Sequence, residues 1–251
     1  MSNEKLIWAD EFDYTGAPDP KKWTHQFGGH GWGNNEAQYY TDSLENCVVQ
    51  DGVLKIIARK EKTGDNQYTS ARIHTFGNFS FKYGKVLVRA RVPKGKGTWP
   101  AIWLLGNAVR EGKGWPLGGE IDLMEYSGQN PDEVVFSLHT KAYNHHKKNH
   151  RTFVYNGFDF SKDFHEYGLV WKPDYIEFLL DGNSVKRFNR GDLPLDTGEE
   201  GWPFDSEFFL IINLAIGGSM GGPIDDSIFP VCFEIDYVRV YEVQNEEEDD
   251  I

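Results

Sequence analysis

Three acids fall within six residues in the segment Gly118-Gly119-Glu120-Ile121-Asp122-Leu123-Met124-Glu125-Tyr126. The apolar residues between them give the run the character of a strand. Glu120 and Asp122 are two apart, so their side chains leave the same face. Glu125 is three beyond Asp122, and strict alternation would send it to the opposite face. One extra residue, a β-bulge near Leu123 or Met124, would return it to the side of the other two. Carboxyls held together repel, which raises the pKa of at least one. A carboxyl that keeps its proton near neutrality can donate it, while an ionised neighbour can attack carbon. Retaining glycoside hydrolysis needs that division of labour, with the two carboxyls about 5–5.5 Å apart. Four strand steps separate α-carbons by about 13 Å, so the two glutamates must lean together on a concave sheet. The alternative is a solvated strand face with scattered acids.

The rest of the chain supplies strands to hold such a sheet. Val86, Val88, Ala90 and Val92 alternate with Leu87, Arg89 and Arg91, which is the period of a half-buried strand. Tyr175 to Leu180 and Ser184 to Phe188 flank Asp181-Gly182, a dipeptide that accepts the positive φ values of a tight hairpin. Val231, Phe233, Ile235 and Tyr237 alternate near the C-terminus. Further expected strands are Val53–Ala58, Tyr68–Thr75, Phe79–Tyr83, Ala101–Leu105, Glu120–Glu125, Val134–His139, Tyr167–Trp171 and Phe208–Leu214. No stretch carries a helical stripe of three turns, and glycine or proline recurs every ten residues or so. That pattern predicts one all-β domain built as a two-sheet antiparallel sandwich.

Composition narrows the partners. The formal net charge of −13 argues against nucleic acid and anionic membranes. Part of that charge lies in Glu246 to Asp250, so residues 245–251 are expected to be a solvated, disordered tail on a domain spanning 1–244. No apolar run is long enough to cross a bilayer. The start, Met1-Ser2-Asn3-Glu4-Lys5, has no apolar signal region, which leaves a cytoplasmic protein or a processed domain open. Cys47 and Cys232 are the two cysteines; spacing leaves open whether they pair. With 8 Trp, 12 Tyr and 17 Phe, the chain has rings for a core and rings to stack on the apolar face of a sugar.

The segment Glu120-Ile121-Asp122-Leu123-Met124-Glu125 resembles the Glu-x-Asp-x-x-Glu signature of glycoside hydrolase family 16, in the bulged form of its laminarinases. The resemblance runs along nearly the whole chain. It takes in Trp8-Ala9-Asp10-Glu11-Phe12, Gly31-Trp32-Gly33-Asn34-Asn35-Glu36, Gln38-Tyr39-Tyr40 and Tyr68-Thr69-Ser70-Ala71-Arg72. It continues through Trp99-Pro100-Ala101-Ile102-Trp103-Leu104-Leu105-Gly106 and Trp115-Pro116, and closes on Asp236-Tyr237-Val238-Arg239-Val240-Tyr241.

That resemblance implies a β-jelly-roll with a substrate cleft on its concave sheet, an endo-β-1,3-glucanase activity, a β-glucan substrate, a monomer and an extracellular place of work. Glu120 matches the nucleophile, Glu125 the general acid/base, and Asp122 the carboxyl that hydrogen-bonds the nucleophile. Trp99, Trp103 and Trp115 resemble tryptophans of the glycone subsites, although Trp103 lies in an apolar run and reads equally as core. Asn35 and Arg72 match positions that bind sugar hydroxyls, with a structural ion pair as the alternative for Arg72. His139 resembles a cleft histidine near the acid/base, and Trp32 could cap a distant subsite. His145, His146 and His150 lie in a segment expected to be a mobile, basic rim loop rather than a metal site. No cofactor is implied for the chemistry. A structural calcium is implied on the convex face, held by Glu11, the Gly52 carbonyl and Asp236; Asp236 reads equally as a surface acid.

Overall fold

A computed structural model describes residues 4–243; the expected tail at 245–251 lies outside the described residues. The chain runs through β1 (Glu4–Asp10), β2 (Thr24–His25), β3 (Gln38–Tyr40), β4 (Cys47–Gln50), β5 (Val53–Thr63) and β6 (Asn66–Ser70). Next come β7 (Arg72–His74), β8 (Gly84–Arg91), β9 (Thr98–Gly106), β10 (Glu120–Glu125), β11 (Glu133–His139) and β12 (Arg151–Asn156). The last five are β13 (His165–Lys172), β14 (Tyr175–Leu180), β15 (Asn183–Asn189), β16 (Phe208–Ile216) and β17 (Val231–Val243).

These strands form two sheets. One is ten-stranded, in the order β15-β14-β13-β8-β17-β5-β6-β3, with β1 added on β17 and β4 on β5. The other is seven-stranded, β12-β11-β10-β9-β16-β7-β2. All pairings are antiparallel except β3 with β6. The fold is the expected jelly-roll sandwich. Phe12, Tyr167, Trp171, Phe136, Phe178 and Phe208 are fully buried between the layers, and a ring of that kind contributes about 1.5–3 kcal/mol on burial.

Most of the expected strands form, with two informative departures. Tyr68–Thr75 is not one strand: β6 ends at Ser70 in the ten-stranded sheet, and β7 begins at Arg72 in the other. The chain changes sheets at Ala71, whose buried methyl packs in the shared core. Phe79–Tyr83 forms only an isolated bridge, Phe81 to Phe208. The predicted hairpin is present, with Asp181 at φ 49° and Gly182 at φ 79°. Cys47 and Cys232 are both free. They flank β5 opposite Ile56 and Ile57, and neighbouring strand positions point to opposite faces.

On the ten-stranded sheet, β17 pairs with β1 through Asp10↔Val238 and with β5 through Leu54↔Ile235. Asp236 falls at this handover, with Glu11 just beyond the end of β1 and Gly52 just before β5. The Glu11 carboxylate takes three hydrogen bonds from Arg239 at 2.6–3.2 Å, which hold its pKa below the usual range. Asp236 pairs with Arg89 at 2.6 Å.

Candidate active site

The seven-stranded sheet forms the floor of a cavity of about 600 Å³. Alternate residues of β9, namely Trp99, Ala101, Trp103 and Leu105, line it, while Ile102 and Leu104 enter the core. On β10 the alternation is interrupted. Asp122 pairs with Trp103 and Met124 with Ile102, so two residues of β10 advance against one of β9. The same slip appears against β11 between Asp122 and Glu125. Leu123 and Met124, although adjacent, both enter the core. Glu120, Asp122 and Glu125 therefore all face the cavity. The bulge lies where the spacing of the acids required it.

Each glutamate is held by an indole. Trp115 Nε1 donates to Glu120 Oε2 at 2.6 Å, and Trp99 Nε1 donates to Glu125 Oε1 at 3.2 Å. Asp122 is 2 % exposed and shares a hydrogen bond with Glu120. His139, paired in register with Glu120, places Nε2 at 3.1 Å from Asp122 Oδ2, but without the alignment of a hydrogen bond. Glu120, Asp122 and His139 each bring one ligand-type atom within 4.8 Å of the others. A hydrogen bond joining two carboxyls requires a proton between them, so this group reads as a proton-sharing cluster.

Electrostatics separates the acids from ordinary carboxyls. Burial, and then the charge of Glu120, push Glu125 up to about 7. Burial and the Asp122 charge hold Glu120 well above the usual range, opposed by His139 and the Trp115 bond. Asp122 is raised by burial and by Glu125, while its hydrogen bond with Glu120 lowers it. Three carboxyls in a shared low-dielectric site cannot all ionise near neutrality. Burial lowers the pKa of His139, which favours its neutral form.

The remaining expected residues divide. Arg72, Trp99, Trp103, Trp115, His139 and Trp32 all line the cavity. Arg72 has no carboxylate partner among the described residues; its Nε donates to Gln26 at 2.6 Å. Its guanidinium lies between the rings of Trp32 at 4.6 Å and Trp103 at 4.8 Å. Asn35 is different. It takes a left-handed conformation, φ 56°, in a loop that turns Asn34 and Glu36 into the cavity instead.

Other lining residues were not singled out from the sequence: Glu36, Asn213, Ser219 and Met220. Asn213 carried a usable signal, a lone amide within the apolar run Phe208–Ile216. The histidine loop reaches the cleft. His145, His146 and His150 line the cavity, with His145 and His146 packed on Trp115 at 5.1 and 5.2 Å. Buried Asn144 donates to the Thr140 and Lys141 carbonyls and accepts from the Lys147 amide, which ties the loop down. Burial and the neighbouring histidines bring His145 down to about 4, so it is uncharged at neutral pH.

Comparison with known proteins agrees with this geometry. The family model described as "Glycosyl hydrolases family 16" matches residues 33–207. A β-glucanase of Rhodothermus marinus is 47% identical over 242 residues, covering 94% of this chain and 85% of that protein. The X-ray structure of the laminarinase from Rhodothermus marinus superposes with a TM-score of 0.93 at 45% identity, covering 98% of this chain and 100% of that one. A Glu-to-Ser variant of SCLam, a non-specific endo-β-1,3(4)-glucanase, superposes with a TM-score of 0.89 at 40% identity, over 96% of each chain. That crystal presents a 1,3-β-D-cellobiosyl-glucose at its active site. With the fold, the bulged acid strand and these matches in agreement, the chain belongs to glycoside hydrolase family 16.

Proposed function

We propose that the chain is a retaining endo-β-1,3-glucanase of laminarinase type, cutting internal β-glucosidic bonds of β-1,3-glucans and also of mixed-linkage β-1,3-1,4-glucans. The observation that carries this reading is the bulge in β10, which turns Glu120, Asp122 and Glu125 onto one face of the cleft. Glu120 attacks the anomeric carbon while Glu125 gives its proton to the leaving glycosidic oxygen. Glu125, then ionised, takes a proton from water, and that water releases the sugar from Glu120 with net retention. The bond between Asp122 and Glu120 raises Glu120 and lowers Asp122, so Asp122 must take up the shared proton for Glu120 to attack as the anion. A Glu125 held near 7 suits a group that must give and then take a proton.

Trp99, Trp103, Trp115 and Arg72 line the cavity, and we assign them to the glycone side. Trp115 and Trp99 each have a second role, since they bond the two glutamates. Asn35 does not line the cavity, and its neighbour Asn34 does. The open cleft suits a long polymer, and an extracellular, monomeric enzyme is the reading that the family resemblance supports. Among the described residues no helix is long and apolar enough to cross a membrane.

A structural calcium is a separate part of the reading. Glu11 follows the end of β1, Gly52 precedes β5 and Asp236 lies in β17, the strand that pairs with both, and oxygen donors suit a hard cation. Glu11 and Asp236 are bound to Arg239 and Arg89, so an ion there must share these acids with two guanidinium groups. It would join three chain segments and take no part in the chemistry.

The test is a reducing-sugar assay on laminarin, lichenan and agarose, with wild type and Glu120→Ser. We expect wild type to cut laminarin and, more slowly, lichenan, while the variant binds laminarin oligosaccharides and turns over almost none. Near wild-type turnover by the variant would reject the assignment of Glu120. Release from agarose alone would make the chain a galactanase, and binding without release a non-catalytic glucan-binding module.

A further inference from the structure

Glu36 is a fourth acid on the cavity wall and has no part in the two-step mechanism. It is 8 % exposed and forms no ion pair among the described residues. Its carboxylate instead accepts three neutral donors. Asn34 Nδ2 reaches Oε2 at 3.0 Å, and Gln38 Nε2 and the Tyr40 hydroxyl reach Oε1 at 3.0 and 3.3 Å. A buried carboxylate is far more expensive to desolvate than an amide, so the choice of an acid here calls for a reason.

Hydrogen-bond direction supplies one. Trp103 Nε1 only donates, which turns Asn213 Nδ2 toward Tyr40, so Tyr40 must donate its own proton to Glu36. Trp103 Nε1 donates to Asn213 Oδ1 at 2.8 Å, and Asn213 Nδ2 donates to the Tyr40 oxygen at 3.1 Å. The chain from Glu36 to Trp103 thus begins on an acceptor, ends on a pure donor, and has one consistent order of protons. Gln38 obeys the same order, since its Oε1 accepts from the Ile216 amide at 2.8 Å. At the far end Trp103 packs on Arg72.

We propose that Glu36 is a positioning residue for glycone binding: its carboxylate anchors the chain Tyr40–Asn213–Trp103, and so fixes the indole and the Arg72 stack that receive the sugar. The proposal rests on the assignment of Trp103 to the glycone side. An amide in place of Glu36 has one acceptor oxygen for donors on two sides: turned to Tyr40 and Gln38, it sets its own NH2 against Asn34 Nδ2, and turned the other way it sets it against Tyr40 and Gln38.

The test is a double-mutant cycle of Glu36→Gln and Trp103→Phe, read as the affinity for a laminari-oligosaccharide by calorimetry in the non-hydrolysing Glu120→Ser background. Trp103→Phe keeps a ring and removes the donor at the end of the chain. Glu36→Gln should weaken binding about tenfold, the loss of one net hydrogen bond. In the Trp103→Phe background the same change should cost less than about twofold, because coupled residues are not additive. Tyr40→Phe, which breaks the chain midway and leaves the carboxylate in place, should reproduce the Glu36→Gln loss. Independent effects that simply multiply, or unchanged affinity in Glu36→Gln, would overturn the proposal. If Glu36→Gln does not fold, Tyr40→Phe with Trp103→Phe forms an equivalent cycle, in which coupling supports the proposal and simple multiplication overturns it. Failure of the Glu120→Ser parent to bind any β-glucan would instead reject the functional reading beneath it.

Discussion

The two sheets of this molecule handle charge in opposite ways. On the outer face of the ten-stranded sheet, opposite charges meet across strands: Arg89 with Asp236, Arg91 with Glu234, Lys85 with Glu4. These side chains are partly exposed, and β8 alternates strictly between buried and half-buried positions. On the seven-stranded sheet, like charges meet. Three acids share one strand, and their partners are indoles and one another. All nine residues of β16 are buried, because the core lies on one face and the walled cleft on the other. The first arrangement lets water screen well-paired ions. The second keeps poorly paired acids from water, which raises their pKa values. Screened pairing and chemistry are thus assigned to different sheets.

The contrast is tested most severely at Glu125. Replacing it by Gln should lower kcat on laminarin by about 10²–10⁴-fold, the range for loss of a positioned proton donor. The direction of the pH effect follows from its state. Glu125 must be protonated to assist departure, so kcat/KM should fall as pH rises through about 7. That alkaline limb should vanish in Glu125→Gln. An unchanged pH profile in the variant would assign the limb to another group.

A smaller effect is expected at the indole that holds the nucleophile. Trp115→Phe removes the 2.6 Å bond to Glu120 and keeps most of the ring. Hydrogen bonds to charged groups contribute about 1.5–3 kcal/mol, so kcat/KM should fall about 10–100-fold. Steady-state kinetics would settle it, and a loss confined to KM would show that the ring matters only for sugar stacking.

On the outer face the expected effects are small. Arg91→Ala breaks the pair with Glu234, yet partly exposed pairs contribute at most about 1 kcal/mol. Urea denaturation should show that little change, with activity intact. A loss above about 3 kcal/mol would contradict the contrast between the sheets. The calcium reading belongs to the same face. Adding calcium to chelated protein should raise Tm without altering kcat, and Glu11→Ala should remove the rise. A Tm indifferent to calcium would leave Glu11 and Asp236 as partners of arginines alone.

Much of this contrast could be read in the residues. Alternation in Val86 to Val92 gave a half-buried strand because one face is wet. The three-residue gap between Asp122 and Glu125 gave the bulge, because only an extra residue restores the acid to the cleft side. Other features gave no local signal. The change of sheet at Ala71 depends on partners more than a hundred residues away, since Arg72 pairs with Asn213. Asn35 and Glu36 share one glycine-rich loop, and only backbone conformation decides which enters the cavity. The packing of His145 and His146 on Trp115 depends on Asn144 tying the loop, a contact that periodicity does not encode.

The central claim is that one bulged strand sets a nucleophile and a proton donor on the same cleft. Proton NMR of laminarin oligosaccharide hydrolysis tests it directly, by reading the anomer present before mutarotation. With Glu120 as nucleophile, the first new reducing ends should be β, the configuration of the bond that was cut. Initial release of the α anomer would mean that water attacks directly, and would contradict a covalent role for Glu120.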